Sequence, residues 1–178
     1  MAERPVYTKN PFKKETSFGV VWALLTPVSD FHEEVRRVMC LPDEGEVIEI
    51  HMPEAVRGNG KNGNKYAGVL GVIREGFGYV ASGIDRWGVD AHSVVAITNE
   101  IAGLTSRRYG FAVEEVSQEH VDEKRIERAW KGFKLTSRYA SDADKKEKMR
   151  IFACYQTFEN FMQKFGKHAD SVHEEVSS

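Results

Sequence analysis

Basic residues concentrate in one segment of the last third of the chain. Between Lys124 and Arg150 there are ten basic residues and four acidic ones, so the segment carries a formal charge of +6 in a chain whose net charge is −2. Lysine and arginine side chains that neutralise phosphates give affinity for nucleic acid without sequence recognition. The segment is therefore a candidate nucleic-acid-binding surface, and its candidate residues are Lys124, Arg125, Arg128, Lys131, Lys134 and Arg138.

The spacing of three of these cations supports a helical surface. Lys124, Arg128 and Lys131 are spaced i, i+4 and i+7, which places them on one face of a helix, opposite its apolar residues. Such a face would suit a phosphate backbone. A solvated helix face that binds no ligand is the alternative interpretation, because basic helix faces are common on proteins of many kinds.

Other residues that could take part in catalysis or ligand binding give weaker signals. The loop from Arg57 to Lys65 contains three glycines and three asparagines, but it lacks the Gly-Lys-Ser/Thr of a Walker loop and leads into a predicted strand. His51 lies on the polar face of a predicted strand and would be a candidate general base, yet the sequence identifies no partner acid. No Cys/His cluster has the spacing of zinc ligands. The sequence therefore predicts no cofactor and no bound metal.

The hydrophobic spacing predicts the elements that position these residues. Period-2 alternation predicts strands over Val47–Met52, Tyr66–Ile73, Phe77–Ile84 and Phe111–Val116. Between the last two strands, apolar residues from Val94 to Leu104 follow a helical period, and Gly110 is the predicted end of that helix. The predicted class is α/β with a mixed sheet.

This order of elements resembles the ribonuclease H-like fold, over roughly residues 46 to 136. The segment EIHMPEAVRGNGKNGNKYAGVLGVI is similar to the family's first hairpin: a strand, a Gly/Asn-rich loop and a strand of small residues. The fold opens with an antiparallel three-strand meander, followed by a helix and a fourth strand parallel to the first. The resemblance implies that Phe111–Val116 pairs in parallel with Val47–Met52, beside long C-terminal helices.

The resemblance also implies where catalytic acids would lie. Catalytic members carry carboxylates on the first strand, the first helix and the end of the fourth strand, where they bind metal ions that activate water. In this chain Pro53 and Ser117 fall near two of those positions. A displaced carboxylate set remains as an alternative, and its members are Glu49, Glu100, Glu115 and Asp170.

The flanking segments are predicted as follows. Residues 1–45 form an N-terminal extension: an arm to about residue 14, a strand over Ser17–Leu25, and a helix capped by Ser29 or Asp30. Residues 46–166 form the core domain. Residues 167–178 form a disordered tail.

Two helices are predicted in the C-terminal third, from Gln118 to about Tyr139 and from Ser141 to about Phe165. The second carries an apolar stripe with spacings of four and three residues. Its members are Ile151, Tyr155, Phe158, Met162 and Phe165. The stripe either packs on the sheet or forms a homodimer contact.

Composition narrows the class of protein. Hydrophobic residues make up 41% of the chain and charged residues 29%, which is typical of globular proteins. The chain has no run of about 20 apolar residues and its N-terminus lacks the apolar core of a secretory signal, so we expect no membrane span and a cytoplasmic location. Cys40 and Cys154, each on a predicted amphipathic helix, are expected to be reduced and buried.

Three classes of function remain open from the sequence. The first is a nucleic-acid-binding protein on a ribonuclease H-like scaffold without catalysis. The second is a protein-interaction or assembly protein, with a homodimer through the apolar stripe. The third is a metal-dependent nuclease with the displaced carboxylates, so the balance of the sequence evidence favours a protein that is not an enzyme.

Overall fold

The structure is a computed structural model, and it describes residues 12–16, 19–51, 74, 76–84, 89–136 and 146–166. Within these residues one mixed sheet lies between two layers of helices. The Gly/Asn-rich loop, the predicted strand Tyr66–Ile73 and the predicted tail lie outside the described residues. The α/β class predicted from the sequence is confirmed.

The sheet has six strands in the order β1-β2-β3-β4-β6-β5. β3 and β4 pair in parallel, and every other neighbouring pair is antiparallel. In the parallel pair Ile48 lies opposite Val94 and Glu49 opposite Val95. The strands are β1 (Phe12–Thr16), β2 (Gly19–Pro27), β3 (Glu46–His51), β4 (Ser93–Asn99), β5 (Ala112–Val116) and β6 (Ile151–Thr157).

In the described ranges five α-helices accompany the sheet: α1 (Glu33–Val38), α2 (residues 76–84), α3 (Glu100–Ser106), α4 (Glu123–Thr136) and α5 (Phe158–Phe165). One face of the sheet packs against α2 and α5, and we call it the α2/α5 face. The other packs against α1 and α4, and we call it the α1/α4 face. Because side chains alternate along a strand, Ile48 and Ile50 point to the α2/α5 face while Val47 and Glu49 point to the α1/α4 face.

Four elements match their predictions. The strand predicted over Val47–Met52 is β3, and the one over Phe111–Val116 is β5. The strand over Ser17–Leu25 is β2, and the helix from Gln118 contains α4. β2 pairs with β3 and α1 packs in the core of the α1/α4 face, so the N-terminal segment contributes to both the sheet and a helical layer. Residues 12–14, predicted as part of a mobile arm, lie in β1.

The strand predicted over Phe77–Ile84 is wrong, because this segment is helix α2. Its buried apolar residues are Phe77, Val80, Ala81 and Ile84. They are spaced i, i+3, i+4 and i+7, the stripe that one face of a helix buries. The helical period decides the structure here, and the predicted three-strand meander is therefore absent from the described residues.

The helix predicted from the apolar period between Val94 and Leu104 begins later than expected. Residues Ser93–Asn99 form β4, and α3 starts at Glu100. Val94 and Val95 are both fully buried on opposite faces of the sheet, so the strand shows no alternation of apolar and polar residues. Asn99 ends the strand and caps the helix, since its Oδ1 accepts a hydrogen bond from the Ala102 N–H at 3.1 Å.

The helix predicted from Ser141 to Phe165 is wrong over its central part, because Ile151–Thr157 is strand β6. β6 is also buried on both faces, and between residues 146 and 165, the part of this segment that the structure describes, only α5 is helical. The apolar stripe is therefore divided. Ile151 and Tyr155 pack in the core of the α1/α4 face, whereas Phe158, Met162 and Phe165 pack in that of the α2/α5 face. A homodimer contact through these five residues as one helical surface is wrong.

The pairing of the fourth predicted strand is also wrong. The parallel partner of β3 is β4, while β5 pairs antiparallel with β6 at the edge of the described sheet.

The two cysteines differ in burial. Cys154 is buried as predicted but lies on β6. Cys40 is exposed with a positive φ of 53°, so its predicted burial is wrong. Both cysteines are free thiols. No helix in the described ranges has the length and apolarity needed to cross a membrane.

Candidate functional site

A buried ion pair joins the sheet to α4. Glu49 on β3 is 2% exposed, and its Oε1 and Oε2 accept hydrogen bonds from Arg125 Nε and Nη2, each at 2.7 Å. Thr26 on the neighbouring strand donates its hydroxyl to Oε2 at 3.2 Å. Buried charges are tolerated when they are paired and hydrogen-bonded, and both oxygens of this carboxylate have donors. The arrangement is a satisfied, bidentate ion pair.

The start of α4 fixes the guanidinium of Arg125 from its other side. Asp122 precedes the helix, and its Oδ1 accepts from the Arg125 N–H at 3.0 Å. The second oxygen of Asp122 accepts from Arg125 Nη1 at 2.5 Å, and the Asp30 carbonyl accepts from the same nitrogen at 3.3 Å. The Phe31 ring lies under the guanidinium, with its centroid 4.2 Å from Cζ. Arg125 is therefore held by hydrogen bonds from Nε, Nη1 and Nη2 and by an aromatic ring on one face.

The charges of this group are permanent at ordinary pH. Burial raises the pKa of Glu49, but the hydrogen bonds and charge of Arg125 outweigh burial and leave that pKa below its usual value. Asp122 shows the same balance and its pKa is also lowered. Burial lowers the pKa of Arg125, and its two carboxylate partners raise it by more. Both partners of the pair are therefore charged at neutral pH.

His51 adds an imidazole to the buried pair. Its Nε2 lies 3.8 Å from Glu49 Oε1, and its side chain is 9% exposed. Burial lowers the pKa of His51 to about 4, and the negative charge of Glu49 offsets only part of this effect. Arg128 Nη2 lies 3.9 Å from the same carboxylate oxygen and opposes protonation of the ring. His51 is therefore neutral at neutral pH, and Glu49 is the neighbouring acid that the sequence did not identify.

A cleft of about 370 Å³ opens beside this group, between the segment leading into α1 and the segment leading into α4. Its apolar lining comes from Phe31, Val35, Ile97 and Val121. Its polar lining comes from Ser29, Asp30, His32, Glu119, His120, Asp122 and Arg125. Arg125 thus belongs to both the buried ion pair and the cleft wall, so the sheet supports the cleft directly.

Two histidines stack at the rim of the cleft. The ring centroids of His32 and His120 are 4.5 Å apart, with 23° between the ring planes. His32 Nδ1 accepts a hydrogen bond from the Glu34 N–H at 3.2 Å, so His32 caps α1 in place of the predicted Ser29 or Asp30. His120 Nε2 lies 3.5 Å from Glu119 Oε1. No local pattern in the sequence predicts this stack, because its two members lie far apart along the chain.

The displaced carboxylate set does not assemble into one site. Glu100 and Glu115 do meet, but Arg150 lies between them. Its Nη1 donates to Glu100 Oε1 at 2.9 Å, and its Nε and Nη2 donate to Glu115 at 3.1 and 2.7 Å. Glu49 points to the opposite face of the sheet, and Asp170 lies outside the described residues. No group of three or more His, Cys, Asp or Glu within the described part of the chain is arranged to hold a metal ion.

The predicted nucleic-acid-binding residues have different surroundings. Lys124 and Lys131 are exposed on α4, and Arg128 is half-buried near Glu49. Arg125 is a correction, since it is buried and its donors are used by protein acceptors. The side chain of Lys134 and all of Arg138 lie outside the described residues.

Local sequence contained one signal for the role of Arg125. It lies four residues before the buried Ala129 and therefore borders the apolar side of α4, while Glu49 lies in the middle of an apolar strand. A charged residue at each of these places predicts an ion pair or a functional site.

Comparison of the chain with models of protein families, with curated proteins and with solved structures finds no match. The resemblance to the ribonuclease H-like fold stays a prediction.

Proposed function

We propose that this protein binds a small molecule in the cleft between α1 and the start of α4. The observation that carries the proposal is the cleft itself, whose volume of about 370 Å³ lies within the range of small-molecule sites. Such sites combine an apolar lining with a few fixed polar groups. Here Phe31, Val35, Ile97 and Val121 supply the apolar part, and Arg125 and the rim residues supply the polar part.

Preorganisation supports the same proposal. A site gains affinity when its polar groups need no reordering on binding. The guanidinium of Arg125 is fixed by Glu49, Asp122, the Asp30 carbonyl and the Phe31 ring before any ligand arrives. The wall of the cleft is therefore rigid where it meets the sheet.

A fragment screen followed by amide NMR tests this function. Ligands that bind in the cleft should shift the amide signals of Phe31, Val121 and Arg125. Ser29 is exposed and lines the cleft, so Ser29→Trp should fill it and abolish these shifts without disturbing the core. Glu159→Trp, at an exposed position on α5, is the control and should keep them. Fragments that shift no cleft signal, or that still bind the Ser29→Trp variant, would contradict the proposal.

A second candidate function is nucleic-acid binding through the outer face of α4. The observation that favours it is that Lys124 and Lys131 are exposed one on each side of the half-buried Arg128, while Ala129 and Trp130 face the core. Arg125 is no longer part of this surface. With at most three phosphate contacts, the logarithm of affinity should fall with the logarithm of salt concentration by about 0.7–0.9 per contact.

The test compares two double charge reversals by fluorescence anisotropy of a labelled oligonucleotide over a range of salt concentrations. Lys124→Glu with Lys131→Glu should reduce the salt slope by roughly 1.4–1.8. Arg108→Glu with Lys164→Glu changes the net charge equally at exposed positions outside α4 and should reduce it less. Arg128 is left unchanged because a carboxylate there would lie next to buried Glu49. Absence of binding at low salt, or equal effects of both variants, counts against this function.

A further inference from the structure

The charges around the cleft distinguish between classes of ligand. The rim carries three carboxylates, those of Asp30, Glu119 and Asp122, and one guanidinium, that of Arg125. Glu49 and Asp122 already compensate the guanidinium. The electrostatic potential in the cleft therefore favours a positive charge.

Hydrogen-bonding capacity leads to the same conclusion independently. An anion bound beside Arg125 would need N–H donors, but four hydrogen bonds to Glu49, Asp122 and the Asp30 carbonyl already use four of its five N–H groups. An anionic ligand would therefore find at most one donor on this side chain. A cation needs acceptors instead, and the exposed carboxylates of Asp30 and Glu119 provide them at the rim.

The apolar lining sets the shape of the ligand. Phe31 and Val35 lie deeper than the carboxylates, because they are buried in the core while Asp30 and Glu119 are exposed. The half-buried Ile97 and Val121 complete the apolar lining. A ligand that uses both parts has a small apolar body and a charged end near the rim. We infer that the cleft binds an organic cation, a primary ammonium carried on a compact apolar group; this inference rests on the proposed small-molecule function.

Three probes of nearly the same shape test the inference: benzylamine, which is protonated at neutral pH, benzyl alcohol and benzoate. NMR titration of the full chain should give the tightest binding for benzylamine and the weakest for benzoate. Because the discriminating charges are exposed, added salt should weaken benzylamine binding and leave benzyl alcohol binding nearly unchanged.

Two neutralised variants locate the effect. Asp30→Asn with Glu119→Gln should weaken benzylamine binding by about two- to fivefold per carboxylate and leave benzyl alcohol binding unchanged. Glu147→Gln with Glu159→Gln removes two exposed acids away from the cleft and is the matched control. Both variants keep Asp122, which holds Arg125.

The outcomes separate the two proposals. If benzyl alcohol or benzoate binds in the cleft as tightly as benzylamine, the cationic class is wrong while small-molecule binding stands. If all three probes leave the cleft signals unchanged while other fragments shift them, the cationic class is again wrong. If neither the probes nor the fragments shift these signals, both proposals are wrong. An equal loss of benzylamine affinity in the control variant also overturns the inference.

Discussion

Two arginines in this protein each bridge two carboxylates, one in the interior and one on the surface. Arg125 joins Glu49 and Asp122 beneath α4, and Arg150 joins Glu115 and Glu100 on the opposite face of the sheet. The bond lengths and the chemical groups are alike. Glu49 is nearly inaccessible to water, however, whereas about half of the Arg150 side chain is exposed. Burial, not geometry, therefore decides how much each bridge contributes to the stability of the fold.

The reason lies in solvation. On the surface, water and salt replace most of what a lost partner supplied, so exposed pairs contribute about 0–1 kcal/mol. In the interior a remaining charge has no such replacement, and breaking a buried pair costs roughly 3–5 kcal/mol. Arg125 and Asp122 of the buried bridge also line the cleft, so loss of this bridge is expected to change ligand binding there. The residues of the surface bridge do not line the cleft.

The largest effect is expected from Arg125→Met. This substitution leaves Glu49 buried beside Thr26 and His51 without its main cation, so the free energy of unfolding should fall by roughly 3–5 kcal/mol. Urea denaturation at neutral pH, followed by circular dichroism, measures it. A loss below about 1 kcal/mol would show that the buried bridge contributes no more to stability than an exposed one.

A double variant serves as the control for this prediction. Glu49→Leu combined with Arg125→Met removes both charges, and an apolar pair of similar volume often replaces a buried ion pair with little loss. The double variant should therefore be more stable than Arg125→Met alone. If it is less stable, the loss in the single variant comes from packing and not from an unpaired charge.

The next effect concerns pH and His51. Its pKa is lowered to about 4 in the folded protein, so between that value and the ordinary value of 6.5 the unfolded chain binds more protons than the folded one. Stability from this group is therefore fully present above pH 6.5 and is lost as the pH falls toward 4. The loss should be on the order of 3 kcal/mol.

Urea denaturation at several pH values between these limits checks the prediction. His51→Gln should flatten the dependence of the unfolding free energy on pH in this window, because glutamine does not titrate. Equal slopes in His51→Gln and in the unmodified protein would contradict this role of the buried imidazole.

The smallest effect is expected from Arg150→Met. Its partners Glu115 and Glu100 remain in contact with water, so the free energy of unfolding should fall by about 1 kcal/mol or less. The difference should shrink further as salt is added. A loss as large as that of Arg125→Met, in the same urea experiment, would mean that exposure does not separate the two bridges.

The clarity of the apolar period, more than the number of buried faces, separates most of the elements that were predictable from those that were not. β3 and β5 were identified by alternation and α4 by its helical apolar stripe, although β3 is buried on both faces and α2, which buries one face, was predicted as a strand. β4 and β6 lie in the middle of the sheet and are buried on both faces, so their near-continuous apolar residues carry no period of two. The spacing of the apolar residues in β4 and β6 matched a helical period by chance. The same coincidence produced the predicted apolar stripe from Ile151 to Phe165, whose members pack on two different faces of the sheet.

The candidate site was only partly accessible to sequence analysis. Glu49 and Arg125 were both named as candidates, but for separate functions: one for metal binding and one for phosphate binding. Their bond spans 76 residues of chain, and no local pattern encodes a partner at such a distance. The cleft depends on the same kind of long-range contact, since its two sides come from the segments before α1 and before α4.

Hydrophobic periodicity and charge are local properties of the chain, and they were enough to predict the α/β class, β3, β5 and a basic helix in the last third of the sequence. The packing of α4 on the sheet is a long-range property, and it withdraws Arg125 from the helix surface while Lys124 beside it remains exposed. Neighbouring helical residues point about 100° apart, and the sheet that α4 packs against determines which of them meets a buried carboxylate.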